Sequence, residues 1–422
     1  MPSPVWHPFT QHGLGEPIPT IVRAEGAAVF TAEGRRLVDA ISSWWVTTHG
    51  HSHPKIMAAI RAAATDLDQI IFAGYTHPAA EAVAEGLTAL LPAPLRHVFF
   101  SDSGSTSVEV ALKMALGYWA NRGSPRHRIL VLEHSYHGDT IGGMSVGARG
   151  VFNQAYAPLL FDVGTLPMPQ GDGAATLAAL DAALAGEAKP AALIVEPLLL
   201  GAGGMLFYPP AVLAAMHARC RAAGVPLIAD EVLTGWGRTG TLLACEQAGV
   251  VPDILCLSKG LTGGSLPLAV TVATPPIYEA HLSSDRARMF FHSSSYTANP
   301  IACAAAAANI AIWRDEPVHA RVADLARRQA MRLATVADHP ALSGARQLGT
   351  VTAMELGGGE GYLSAYMPRL GAFFRARGLL LRPLGDTIYV MPPYCIGDAD
   401  LDAIYAAIGE AAEAVWRGRD LV

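Results

Sequence analysis

Lysine is scarce in this chain: Lys55, Lys113, Lys189 and Lys259 are the only four in 422 residues. No basic block exists, and the net charge is −6 with a pI near 6.2, which argues against a nucleic-acid partner. Cysteine is equally sparse. Cys220, Cys245, Cys256, Cys303 and Cys395 are odd in number, scattered, and never form C-x-x-C. That excludes a disulfide framework and points to a reduced, cytoplasmic protein that uses thiols as small apolar filler. Long hydrophobic runs are missing too. The Ala-rich stretch from Ile301 to Trp313 is broken by Asn309 and is too short to span a bilayer, so no membrane role is expected. The opening MPSPVWHPFTQHGLGEP lacks the basic and apolar segments of a secretory signal. No internal repeat of fixed period is visible.

What is present is apolar material, 51% hydrophobic against 16% charged, enough for a large core divided into two or three domains. Glycine and proline are spread along the chain and punctuate many turns. Short apolar runs recur in the middle: RHVFF (96–100), RILVL (128–132), AALIV (191–195), VPLIA (225–229) and DILCL (253–257), with a helical run at 106–119 after the first. Continuous rather than alternating apolarity suits strands buried on both faces, so the pattern predicts an α/β fold with a mainly parallel sheet and helices on both faces. From about residue 310 the texture changes to an amphipathic helix and the segments VTAMEL, GLLLRP and TIYVMPP, which read as strands of a smaller α+β domain. Residues 27–40 read as a hairpin turning at Glu33-Gly34. The expected division is an N-terminal segment 1–50 joining the small domain, a large domain 51–309, and a C-terminal small domain 310–422.

Each central run ends in polar or ionisable residues: Ser101 to Ser105, Glu133 to His137, Glu196, Asp230-Glu231 and Ser258-Lys259. Ligands of such sheets bind at the carboxyl ends of the strands, so five ends of this kind predict one polar site. Of the four lysines only Lys259 ends an apolar strand. Partial burial there lowers an ammonium pKa and makes the amine a nucleophile suited to Schiff-base chemistry, although a surface lysine after a strand is the plain alternative. Asp230 could hold a pyridinium nitrogen protonated, or could be a turn residue. Gly104 and Ser105 open a helix whose free N–H groups suit a phosphate, with Thr106 and Glu109 at capping-box spacing. Tyr136 could stack on a planar ring, or sit in the core. GWGRTG (235–240) matches G-x-G-x-x-G, but no acidic residue stands about twenty positions on for a ribose, so a dinucleotide is not expected. The stretch ISSWWVTTHGHSHP (41–54) reads either as pocket wall or as a metal site built on His49, His51 and His53.

A phosphate cradle, a nucleophilic lysine and a carboxylate for a ring nitrogen together suggest pyridoxal 5'-phosphate. The motifs DAISSWWVTTHGHSHP, DSGSTSVEVALKMALGYW, YHGDT, EPLLLGAGGM, ADEVLTGWGRTG, PDILCLSKGLTGG and ANPIACAAA resemble those of the class-III aminotransferases of fold-type I, nearly from end to end. The SSWW pair, the leading W-H-P and the Arg-Pro at 382–383 are similar to the subgroup of biotin synthesis. That subgroup converts 8-amino-7-oxononanoate to 7,8-diaminononanoate with S-adenosylmethionine as amino donor; another ω-amine transaminase is the near alternative. The resemblance implies that Lys259 binds the cofactor covalently and shuttles a proton, and that Asp230 pairs with the ring nitrogen. It implies that Gly104 and Ser105 hold the phosphate and that Tyr136 stacks on the ring. Ser295 would reach the phosphate of a neighbouring subunit in a homodimer, with Ser294 beside it as a substrate contact. Trp44, Trp45 and Arg382 would line the substrate pocket, and Arg238 and Asp139 would stand near the amino donor. The histidines would be structural, with no metal. Two departures stand out: Phe9 occupies a place where the family has Tyr, and Ser293 to Tyr296 replace its G-P-T-F.

Overall fold

Four runs of the computed structural model, Ile129–Leu132, Ala192–Val195, Leu227–Asp230 and Ile254–Leu257, are buried at every position, as strands covered on both faces must be. The structure describes residues 3–357 and 366–421, and the side chains of 3–357 and 368–421. In chain order the strands are β1 (Ile21–Glu25), β2 (Ala28–Thr31), β3 (Arg36–Asp39), β4 (His97–Ser101), β5 (Ile129–Leu132), β6 (Gly164–Leu166), β7 (Ala192–Val195), β8 (Leu199–Leu200), β9 (Leu206–Phe207), β10 (Leu227–Asp230), β11 (Ile254–Leu257), β12 (Ala269–Ala273), β13 (Leu342–Leu348), β14 (Val351–Leu356), β15 (Leu379–Leu380) and β16 (Thr387–Val390).

Seven of them form the central sheet in the order β4-β12-β11-β10-β7-β5-β6. All run parallel except β12, which is antiparallel to both β11 and β4. The apolar runs did not reveal β12. The reason it can reverse is the link before it: residues 258–268 return without a long crossover helix, and a short return favours an antiparallel neighbour. The two faces of the sheet are separated by residue parity. Ile129, Val131, Ile194, Ile228 and Ile254 pack with Val108, Ala111 and Trp119 of helix Gly104–Asn121. Leu130, Leu132, Leu193, Val195, Leu227 and Leu255 point the other way, into the larger core.

The hairpin forms as the sequence suggested, with β2 antiparallel to β3. The run GLLLRP gives only β15, which pairs parallel with β3 and so joins the two ends of the chain in one sheet, β1-β2-β3-β15. Strands β13, β14 and β16 form a separate antiparallel sheet, packed by helices Val318–Val336 and Asp398–Trp416. Among the described residues no helix is long and apolar enough to cross a membrane.

Candidate active site

The carboxyl ends of β5, β7, β10 and β11 converge on one cavity. Gly104, Ser105, Tyr136, His137, Glu196, Asp230 and Lys259 line it, with Trp44 and Trp45 as its apolar wall. Lys259 enters one residue after β11, behind Ser258, in the first position of the 3-10 turn Lys259–Thr262. Its Nζ lies 4.8 Å from the centroid of the Trp45 ring. Burial lowers its pKa to about 8, against the opposing pull of Asp230 and Glu196. The other three lysines are engaged elsewhere: Lys55 with Glu316 at 2.7 Å, Lys113 with the Phe291 carbonyl, and Lys189 with the Leu184 carbonyl at 2.8 Å.

Asp230 ends β10, buried. One carboxylate oxygen lies in hydrogen-bond contact with His137 Nδ1 at 2.6 Å and the other accepts from the Val232 amide at 3.1 Å. The Nε2 atom of His137 is buried and has no partner. Glu196, at the end of β7, accepts from the Tyr136 and Gly201 amides, both at 2.9 Å, and burial pushes its pKa up to about 7. Glu196 and His137 stood in the strand-end pattern, yet no role was read for either. The signal available was that each directly follows, or lies close after, a fully apolar strand.

The helix opening differs from the sequence reading by three residues. The cap is Ser103, whose hydroxyl accepts from the Thr106 amide at 3.2 Å while the Thr106 hydroxyl accepts from the Ser103 amide at 2.9 Å. Glu109, expected to close a box with Thr106, instead accepts from the Gly142 amide at 2.8 Å. Serine at the end of a strand caps as well as threonine does, and spacing alone could not choose between them. A Cβ on Gly104 would come within 2.6 Å of Val232, and one on Gly138 (φ +109°) within 2.0 Å of the Ser105 hydroxyl. The backbone here is bare by necessity.

Trp44 and Trp45 sit in a short turn with three left-handed residues, Ser42 (φ 53°), Ser43 (φ 60°) and Trp45 (φ 66°). The buried Asp39 carboxylate holds it, accepting from the Ser43 amide at 2.7 and 2.9 Å and the Ile41 amide at 3.2 Å. The Trp45 indole donates to the Tyr389 hydroxyl at 2.9 Å, and Trp45 is buried, whereas Trp44 is 45% exposed. Phe9 stands edge-on to Trp44 at 5.6 Å, and the Arg382 guanidinium lies 5.6 Å from the Trp44 ring and 5.9 Å from that of Phe9.

Not every candidate faces the cavity. Arg238 is buried behind the tryptophans and donates to the carbonyls of Pro392, Trp45 and Thr47 at 2.9–3.3 Å, which braces the wall, while its Nε has no partner. Asp139 lines an adjoining cavity and bonds the Tyr136 hydroxyl; burial and then Asp139 push that phenol's pKa up. The Ser294 hydroxyl bonds Asp102, and the Ser295 carbonyl accepts from Gln69 at 2.5 Å; both are exposed and outside the cavity of their own chain. His49 contacts Asn309 at 2.9 Å, His51 contacts Asp39 at 2.7 Å, and His53 precedes helix Pro54–Asp66. Among the described residues no group of three His, Cys, Asp or Glu could hold a metal. The loop of GWGRTG packs beneath the lysine turn, where a Cβ on Gly260 would strike Trp236 at 2.7 Å.

The family model for "Aminotransferase class-III" matches residues 10–412. The chain is 47% identical to an adenosylmethionine-8-amino-7-oxononanoate aminotransferase of Synechococcus elongatus, covering 97% of this chain and 99% of the relative. Among solved structures it resembles the enzyme of the same name from Methanocaldococcus jannaschii (30% identity, TM-score 0.92, 97% of each chain). It also resembles a PLP-bound amine transaminase from an uncultivated Pseudomonas species (32% identity, TM-score 0.90, covering 98% of this chain and 99% of that one). The site fits the family's cofactor. Bare backbone at a helix N-terminus suits a phosphate, an acid with a buried histidine behind it suits a ring nitrogen, and a desolvated amine suits an aldehyde. Spanned by the family model and matched along almost its whole length by these relatives, the chain belongs to the class-III aminotransferases, which depend on pyridoxal 5'-phosphate.

Proposed function

We propose that this chain is the aminotransferase of biotin synthesis that converts 8-amino-7-oxononanoate to 7,8-diaminononanoate with S-adenosylmethionine as amino donor. The observation that carries the reading is the wall of Trp44, Trp45 and Arg382 beside the buried Lys259, on a chain 47% identical to a relative of that name. The two solved relatives carry different substrate names at nearly equal TM-scores, 0.92 and 0.90, so the fold alone does not choose a substrate.

Bound in the cavity, pyridoxal 5'-phosphate supplies an electron-accepting ring and an aldehyde that can carry an amine from donor to acceptor. Gly104 and Ser105 offer amide N–H groups to its phosphate. Asp230, hydrogen-bonded by His137, holds the proton of the ring nitrogen. Tyr136, its backbone tied down by Glu196, would offer its ring to the cofactor. Lys259 Nζ would hold the cofactor and, once displaced by the donor amine, would move a proton from the donor carbon and back in the second half-reaction; a pKa lowered to about 8 raises the uncharged share above that of a solvated lysine. The tryptophans exclude water beside the aliphatic chain of the keto acid, and Arg382 takes its carboxylate in two parallel hydrogen bonds. Tyr136 and Asp139 stand near the cationic donor. On this reading Ser295 completes the phosphate site of the other subunit of a homodimer, and Ser294 lies near the substrate there. Residues 1–50 and 310–422 form the smaller domain and 51–309 the larger, and the enzyme works in the cytoplasm.

The test is a donor screen read by the cofactor spectrum. Without keto acid, S-adenosylmethionine should bleach the band of the lysine-bound cofactor and raise that of the aminated form. Bleaching by lysine but not by S-adenosylmethionine would overturn the donor. Turnover of short ω-amines with none of 8-amino-7-oxononanoate would overturn the substrate.

A further inference from the structure

Asn309 is the polar interruption of an alanine-rich helix, Pro300–Asp315, and it is fully buried. A buried amide is costly unless its hydrogen bonds are made. Both Nδ2 hydrogens are used: they go to the consecutive carbonyls of Gly260 and Leu261, each at 3.0 Å. Those carbonyls belong to the turn that begins with Lys259. Two acceptors at one end settle which end of the amide carries the nitrogen. Oδ1 therefore faces His49 Nε2, at 2.9 Å, and needs a donor there. His49 is itself buried; burial, and next the nearby His53, lower its pKa to about 4, so the ring is neutral with its proton on Nε2.

The turn needs such a brace. Lys259 has φ +43°, a left-handed backbone that a long side chain keeps only where its surroundings impose it. Gly260 and Gly263 leave no room for relaxation, because a Cβ would meet Trp236 at 2.7 Å on one and Ile56 at 2.5 Å on the other.

We infer that Asn309 is the positioning residue of Lys259: its amide pins the two carbonyls after the lysine, and His49 locks the amide. The inference rests on the reading of Lys259 as the reacting lysine. It gives the first histidine of the H-x-H-x-H stretch a role in the reaction at one remove, through Asn309.

The test compares full-length Asn309→Leu with native enzyme. In cofactor-free protein, the rate at which an amine-directed reagent labels Lys259 is followed by mass spectrometry; in the loaded enzyme, kcat and KM are measured. A misplaced amine should label and turn over about tenfold to a hundredfold more slowly, with KM near native, because positioning acts on the reacting step. A folded Asn309→Leu protein with native labelling and native kcat would overturn the inference. Should that variant fail to fold, His49→Phe and His49→Gln decide. Phenylalanine fills the space without a donor and should slow labelling, and glutamine, which carries an N–H, should restore it. Native behaviour of His49→Phe, or no rescue by His49→Gln, overturns it equally. Borohydride reduction of the native holoenzyme separates the two levels. A pyridoxyl adduct on another lysine sinks the reading of Lys259, whereas an adduct on Lys259 with unaltered variants sinks only the positioning.

Discussion

Replacing Asp39 by Ala should loosen the tryptophan wall without touching the cavity itself. The carboxylate is fully buried and makes four contacts within 3.2 Å: two to the Ser43 amide, one to the Ile41 amide and one to the His51 ring. A hydrogen bond to a buried charged group is worth about 1.5–3 kcal/mol. The separate N–H groups would each add about 1–3 kcal/mol if they stayed unpaired, but a freed turn can relax and the terms do not sum. Relaxation is expected, because Ser42, Ser43 and Trp45 all leave unfavourable left-handed backbone when released. The net expectation is a loss of about 1.5–3 kcal/mol, an appreciable part of the roughly 5–15 kcal/mol that holds a domain folded. Trp44 and Trp45 should then move, lowering kcat/KM at least about tenfold. Asp39→Asn keeps one acceptor oxygen and should fall between native and Ala. Urea unfolding of the holoenzyme and steady-state kinetics measure both effects. A loss under about 1 kcal/mol with unchanged kcat/KM would refute the argument that this carboxylate holds the wall.

Labelling of Lys259 in the cofactor-free protein should rise with pH through a midpoint of about 8 rather than 10.5, because burial favours the uncharged, reactive amine; a midpoint near 10.5 would show a solvated lysine. Arg382→Ala should lower kcat/KM for the keto acid about tenfold to a hundredfold, the worth of a charge-assisted hydrogen bond, as read by varying the keto acid in steady state. Unchanged keto-acid kinetics would remove Arg382 from the pocket. Gly138→Ala should weaken cofactor retention, measured by equilibrium dialysis, since the new Cβ meets the Ser105 hydroxyl at 2.0 Å and the left-handed φ of +109° penalises any side chain. Native retention would mean that Ser105 can move aside without cost.

The site was more legible than the fold's details. Lys259 stood out because lysine is scarce and this one lies just past an apolar run, behind Ser258; Asp230 stood out because it directly follows one, and burial of each run desolvates what comes next. The structure places the tryptophan pair on the cavity beside Lys259, but nothing in the sequence pointed to what supports the pair. Tyr389 and Arg238 lie far from Trp45 in sequence and nothing local marks their contacts, while Asp39, only two and four residues from the amides it holds, looks like an ordinary strand end. Arg238 was placed near the amino donor by the resemblance alone; in the fold it bonds three backbone carbonyls that no local pattern announces. Strand β12 escaped because the apolar-run pattern was matched to parallel strands, whereas its direction is set by the length of the preceding link.

Local chemistry was written in the sequence by itself: the apolar period of the strands, the polar residues at their ends, the single lysine at a strand terminus, and motifs dense enough to mark the family. These depend on neighbours a few residues away, so a linear reading reaches them. Only the tertiary structure decided which distant groups meet. It brought His137 behind Asp230, Tyr389 and Arg238 against Trp45, and Asn309 and His49 beneath Lys259. Each such contact closes a loop of 50 or more residues or fixes a strained backbone, and its energy comes from burial that exists only once the chain has folded.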